Sequence, residues 1–160
     1  MPLVIRLTRT SPTHHRFDIV RENGDRESRE LETRSTLVHD LVHFAVETEA
    51  RLGHSFYGML ARGVAYASLT DAQAIARHGP EILATERVVG ALQGALKEGL
   101  DPERFVAHFT SALQSMDAAP PGWLDVDLVR RVAERMRRLQ GEWRSKRFGE
   151  SLELRFELPV

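Results

Sequence analysis

The chain has 160 residues, of which 42% are hydrophobic and 28% charged, with a formal net charge of −1. That size and balance fit a single folded domain with its own core, and they exclude both an intrinsically disordered chain and a globally polycationic nucleic-acid binder. Cysteine is absent, which excludes disulfides, thiol catalysis and thiolate metal sites and leaves histidine and carboxylate as the strong ligands.

The N-terminus lacks a long apolar stretch with a small-residue cleavage site. Nowhere do about 18 apolar residues run together, as a membrane span requires. A cytoplasmic location is the expectation. Arginine far outnumbers lysine and alanine is frequent, a usage that points to a GC-rich bacterial source.

Leu3, Ile5 and Leu7 alternate with Val4, Arg6 and Thr8, the period of a half-buried strand over about 3–9. His15, Phe17 and Ile19 repeat the alternation in a second strand, about 14–22. Asn23-Gly24 is a strong hairpin signal, because both residues accept the positive φ of a type I′ turn. A third strand, about 26–32, follows, and its heavy charge marks it as an edge.

The pattern then turns helical over about 36–146. Ser35 or Thr36 can cap a first helix ending near Gly53, and Ser55 can open a second reaching about Ala65. Thr70 and Gln73 form a capping box for a short helix that Gly79-Pro80 ends. Pro80 begins a helix to about Glu98, Asp101-Pro102 another to about Ser115, and Asp125 caps a last one through about Lys146. Leu152, Leu154, Phe156 and Leu158 restore strict alternation in a strand over 151–158, whose only available partners are at the N-terminus. The expected fold is therefore one α+β domain: a small, mostly antiparallel sheet closed by both chain ends, with five to six helices on one face.

The functional signal lies in the first helix, LVHDLVHFAVE. At about 100° per residue, His39, His43 and Glu47 fall successively along one side, with Asp40 at the edge of the arc. Nearly every other position is apolar, so the helix is buried around most of its circumference and its polar strip carries imidazoles and carboxylates. Histidines at i and i+4 can aim ring nitrogens at one divalent ion, and a carboxylate one turn further can add oxygen. HDLVH resembles the metalloprotease pattern HExxH over five residues, with Asp40 in place of the glutamate base, and the likeness carries no fold with it.

The third ligand is open in sequence: His54, His78, His108, Glu81 and Glu86 are candidates, and His54, just past the helix, is preferred. With imidazole ligands, zinc or another divalent metal is the expected cofactor. Such an ion would lower the pKa of a bound water for hydrolysis, with Asp40 or Glu47 orienting or deprotonating it.

Three other features bear on function. GHSFYG (Gly53–Gly58) is one residue away from a nucleophile elbow, but a helix rather than a strand precedes Ser55. Gly90 and Gly94, with Ala91 and Ala95, form small-residue ridges suited to close helix packing inside the domain or across a homodimer. Arg130, Arg131, Arg137 and Arg138 give the last helix a basic outer face. This supports the competing reading, a non-enzymatic interaction protein that binds an acidic or phosphate-bearing partner there.

Overall fold

A computed structural model describes residues 2–160. Strands β1 (Leu3–Arg9), β2 (His14–Val20), β3 (Arg26–Glu32) and β4 (Ser151–Phe156) form one antiparallel sheet in the order β3-β2-β1-β4. Both chain ends meet in it: Leu3 pairs with Phe156, Ile5 with Leu154 and Leu7 with Leu152. Because side chains alternate along a strand, these six residues share one face with Phe17 and Ile19, and all eight are buried. The other face is polar, with Arg6 3.2 Å from Glu153 and Arg16 2.8 Å from Asp18.

The helices cover the apolar face. They are α1 (Thr33–Glu49), α2 (Phe56–Ala61), a 3-10 turn (Tyr66–Leu69), α3 (Ala72–Ala76), α4 (Pro80–Glu98), α5 (Pro102–Gln114) and α6 (Val126–Ser145). This is the α+β arrangement expected, and α1 is its centre: it packs on β2 and β3 below, on α4 and α6 beside it, and on α2. No helix among the described residues is long and apolar enough to cross a membrane.

Local chemistry departs from the sequence expectation at several joints. Asn23 does not take a positive φ; only Gly24 does, at 93°. Gly24 N–H bonds to the Arg21 carbonyl and Arg21 N–H to the Asp25 carbonyl, so the hairpin is a three-residue loop with its glycine left-handed, not a two-residue type I′ turn. β3 runs directly into α1, whose capping position is Glu32. The Ser35 and Thr36 hydroxyls donate back to the Glu32 carbonyl instead of capping. The short helix α3 is capped by Asp71, which accepts the Ala74 N–H at 2.7 Å, while Thr70 bonds to the Ala67 carbonyl. Asp101 and Asp125 cap α5 and α6 as expected.

The glycines also divide differently. Gly58, in α2, lies against the Gly53 backbone: a Cβ there would sit 2.3 Å from the Gly53 carbonyl oxygen. That contact folds the α1–α2 loop tightly. By contrast, Cβ atoms at Gly90 or Gly94 would meet nothing within 4 Å, and both residues are exposed. The two glycines therefore do not serve close packing inside the domain, while Ala91 and Ala95 are partly buried against its core.

α6 is tied to the sheet at its C-terminal end. His15 is fully buried, with Nδ1 2.9 Å from the Thr33 hydroxyl and its ring edge-on to Trp143 at 5.7 Å. Its Nε2 has no hydrogen-bond partner, and Arg9 covers the Trp143 ring at 4.7 Å. Burial, and secondarily the charge of His14, pushes the His15 imidazole down to about 4.

Two outcomes follow for stability. Gly58→Ala should lower the urea-unfolding free energy by at least about 2 kcal/mol, because backbone must move, whereas Gly90→Ala should raise it by about 0.5–1 kcal/mol; equal effects would contradict the Gly53–Gly58 contact. For His15, the unfolded chain takes up a proton near the ordinary 6.5 while the folded one resists until about 4. Its contribution is therefore fully present above pH 6.5 and is lost as pH falls from there toward 4, to a total of about 3 kcal/mol. Urea titrations at pH 7 and pH 4.5 should show a smaller acid loss in His15→Gln than in the parent.

Candidate metal centre

The polar strip of α1 faces the interior. Asp40, His43 and Glu47 are 5%, 1% and 0% exposed, and His39 is half-buried at the strip's outer end. What makes this burial tolerable is a set of partners from two other helices.

Glu47 is satisfied on both oxygens. Oε2 lies 3.0 Å from His43 Nδ1, and Oε1 accepts the backbone N–H groups of Tyr57 at 2.9 Å and Gly58 at 3.4 Å. The Tyr57 hydroxyl returns to donate to the Asp40 carbonyl at 2.8 Å. Burial pushes the Glu47 carboxyl up, and the His43 and backbone N–H bonds pull against it.

The second helix is α4, which lays Glu86 and Gln93 along α1. His39 Nδ1 lies 3.1 Å from the Gln93 amide oxygen, so Nδ1 is the donor. Both histidines thus have Nδ1 committed to an oxygen acceptor, and both present Nε2 to the same carboxylate: His43 Nε2 is 2.8 Å from Glu86 Oε1, and His39 Nε2 is 3.7 Å from Glu86 Oε2. The short His43–Glu86 approach lies off the line of a well-directed hydrogen bond, which leaves the buried Nε2 without a true partner. The ring centroids are 4.8 Å apart. One ligand atom from each of His39, His43 and Glu86 lies within 4.8 Å of the others, so the group could hold a metal ion.

The electrostatics follow from that packing. Burial works against charging His43, but the Glu47 hydrogen bond, the close Glu86 contact and the charges of both carboxylates overcome it and hold its imidazolium up to about 10. Glu86, although partly buried, is kept below the usual carboxylate range by contact with His43 and by the two histidine charges. His39 is lowered by burial and by His43, with Gln93 and Glu86 acting against them. Asp40 is pushed up to about 7, first by burial and then by the Glu86 charge, with the His43 charge opposing. Its Oδ2 is buried with no hydrogen-bond partner.

Of the residues singled out in the sequence, the fold brings His39 and His43 together with Glu86. Glu47 sits behind His43 on the opposite ring nitrogen. Asp40 lines the same cavity as the histidines. His54 is exposed and engages through its backbone N–H, which donates to Glu81 Oε2 at 2.6 Å, so it lies outside the group. Glu81 also accepts from the Ser55 hydroxyl, which is fully buried and 2.8 Å from the Thr85 hydroxyl. Ser55 therefore ties α2 to α4.

On α6, Arg135 and Arg131 reach Glu49 of α1 at 2.6 and 3.7 Å, and Arg130 and Arg131 reach Asp127 at 3.8 and 3.3 Å. Arg137 and Arg138 are exposed.

A cavity of about 370 Å³ opens above His39, His43 and Glu86, walled by Phe56, Tyr66, Leu69, Ile75 and Leu83 among others. Comparison with protein-family models, curated proteins and solved structures found no match.

Truncating Glu47 would leave the His43 imidazole buried against an empty space and would free two backbone N–H groups. Glu47→Ala should cost about 3–5 kcal/mol in equilibrium unfolding. Glu86→Ala should cost clearly less, because the Glu86 side chain is 26% exposed; the reverse order would contradict the arrangement described.

Proposed function

We propose that the chain binds a divalent metal ion through His39, His43 and Glu86, and that the ion activates water for hydrolysis. The observation that carries this reading is the matched orientation of the two imidazoles. Each Nδ1 is held by an oxygen acceptor, Gln93 Oε1 or Glu47 Oε2, and each Nε2 converges on one carboxylate. Metal-ligating histidines ordinarily have this outer partner, which fixes ring tautomer and direction. Binding would release the proton that Glu47 and Glu86 hold on His43, because a ligating imidazole is neutral.

Two imidazoles and one carboxylate suit zinc, and three protein ligands leave its fourth position open toward the cavity. Glu47 is then a positioning residue that orients His43. Asp40, which lines the same cavity and has a buried carboxylate oxygen without a partner, would accept a proton from a water on the ion. In a hydrolytic step the water oxygen would bond to the electrophilic atom of the substrate as the bond to the leaving group breaks, and Asp40 would pass the proton to that group.

Metal analysis of protein purified without an affinity tag should find near-stoichiometric zinc, or zinc should raise the melting temperature of chelator-treated protein. At a hundredfold excess over Kd the stabilisation would be about 2.7 kcal/mol. His39→Gln and Glu86→Gln, both at the partly exposed end of the site, should fold and should lose most of this response. Parent protein that is indifferent to zinc, cobalt(II) and chelator would end the metal reading.

A further inference from the structure

The cavity over the His39, His43 and Glu86 group has a lining that selects among hydrolase substrates. Its floor is polar, with the two histidines, Glu86 and Asp40; much of its wall is hydrocarbon, with Phe56, Leu69, Ile75 and Leu83. The remaining polar lining consists of the neutral groups Ser35, Thr36 and Thr70, the tyrosine Tyr66, and one more acid, Asp71. No lysine or arginine lines it among the described residues.

We infer that, granted the metal reading above, this cavity takes one small uncharged acyl compound with a hydrocarbon body, an ester, lactone or amide, in preference to a phosphoester. A phosphoester carries at least one negative charge at neutral pH, and sites that act on such groups supply arginine or lysine forks or a second metal ion to neutralise it. Here the ion would be held by two imidazoles and a carboxylate, with the further acids Asp40 and Asp71 in the lining and no arginine or lysine, so an anion would have the ion alone to offset its desolvation. An uncharged acyl group meets no such cost. Its carbonyl can approach the ion while its hydrocarbon part covers Phe56, Leu69, Ile75 and Leu83.

A volume of about 370 Å³ falls at the lower end of the range of roughly 300–1,000 Å³ usual for small-molecule sites. That suits a single small molecule. In the reaction the water oxygen bonds to the acyl carbon, the acyl C–O or C–N bond breaks, and the leaving oxygen or nitrogen takes the water's proton.

The test uses cobalt(II)-substituted protein, whose visible band reports ligands entering the ion's open position. Three probes are titrated: imidazole, phenylimidazole and phenylphosphonate. Phenylimidazole should bind at least about tenfold more tightly than imidazole, since its ring is buried against the apolar wall. It should also bind more tightly than phenylphosphonate. Leu83 stands at the rim, 38% exposed, so Leu83→Lys should fold with cobalt affinity unchanged. That variant should bind phenylimidazole several-fold more weakly and phenylphosphonate several-fold more tightly.

Two results would overturn the assignment while leaving the metal site intact: no gain from the phenyl ring, or phenylphosphonate binding to the parent as tightly as phenylimidazole. Absence of any cobalt band would instead overturn the metal reading on which the assignment rests.

Discussion

Glu47 is a carboxylate with no exposed surface, and the surrounding structure is organised around making that tolerable. Removing such a group from water costs several kcal/mol unless every lone pair finds a donor. One donor is His43, a turn earlier on α1, and the others are the first amides of α2. For those amides to arrive, the chain must double back within a few residues of the end of α1. It can do so because Gly58 rests on the Gly53 backbone with no side chain between them. Tyr57 is then placed with its hydroxyl on the Asp40 carbonyl, so the same fold-back grips α1 at two points about two turns apart. The orientation of His43 is a by-product of this grip.

α1 consequently does two tasks that usually fall to different elements. Leu37, Leu41, Val42, Phe44, Ala45 and Val46 are core residues, while His39, Asp40, His43 and Glu47 form an internal polar strip. Its neighbours divide the labour of enclosing it. α4 supplies the facing polar groups Glu86 and Gln93. α6 also packs on α1 and is pinned by Arg135 to Glu49 at one level and by Trp143 to His15 at another. With its neighbours held from both sides, the strip has little freedom to relax toward water.

How much of this was legible in the sequence follows from the range of the forces involved. Strand alternation, the edge character of β3 and the Asp101 and Asp125 caps depend on neighbours in sequence, and they read correctly. So did the burial of most of the circumference of α1, because so few of its positions are polar. The hairpin type did not, since Asn23-Gly24 suits two loop lengths and the strand register decides between them. Thr70 and Asp71 are both good caps, and only the path of the preceding 3-10 turn favours Asp71. At the site, His39 and His43 stood out through their spacing on one helix. Glu86 was one acid among several, because the register of α4 against α1 is set by tertiary packing. Glu47 was visible as a carboxylate on the strip. Which way it faces depends on amides contributed by α2, a relation that no local pattern encodes.

The pairing of β1 with β4 joins residues far apart in sequence, among them Arg6 and Glu153 at a separation of 147. Closing so long a loop carries an entropic cost that the strand's own contacts must offset. During vectorial synthesis the ribosome releases both histidines and Glu86 well before β4 exists. Phe156 of that last strand lies against the Tyr57 ring, centroids 6.0 Å apart, and the Tyr57 amide holds Glu47. A nascent chain thus carries every candidate ligand while lacking the strand that braces the group orienting them, and an ion met at that stage would encounter flexible side chains.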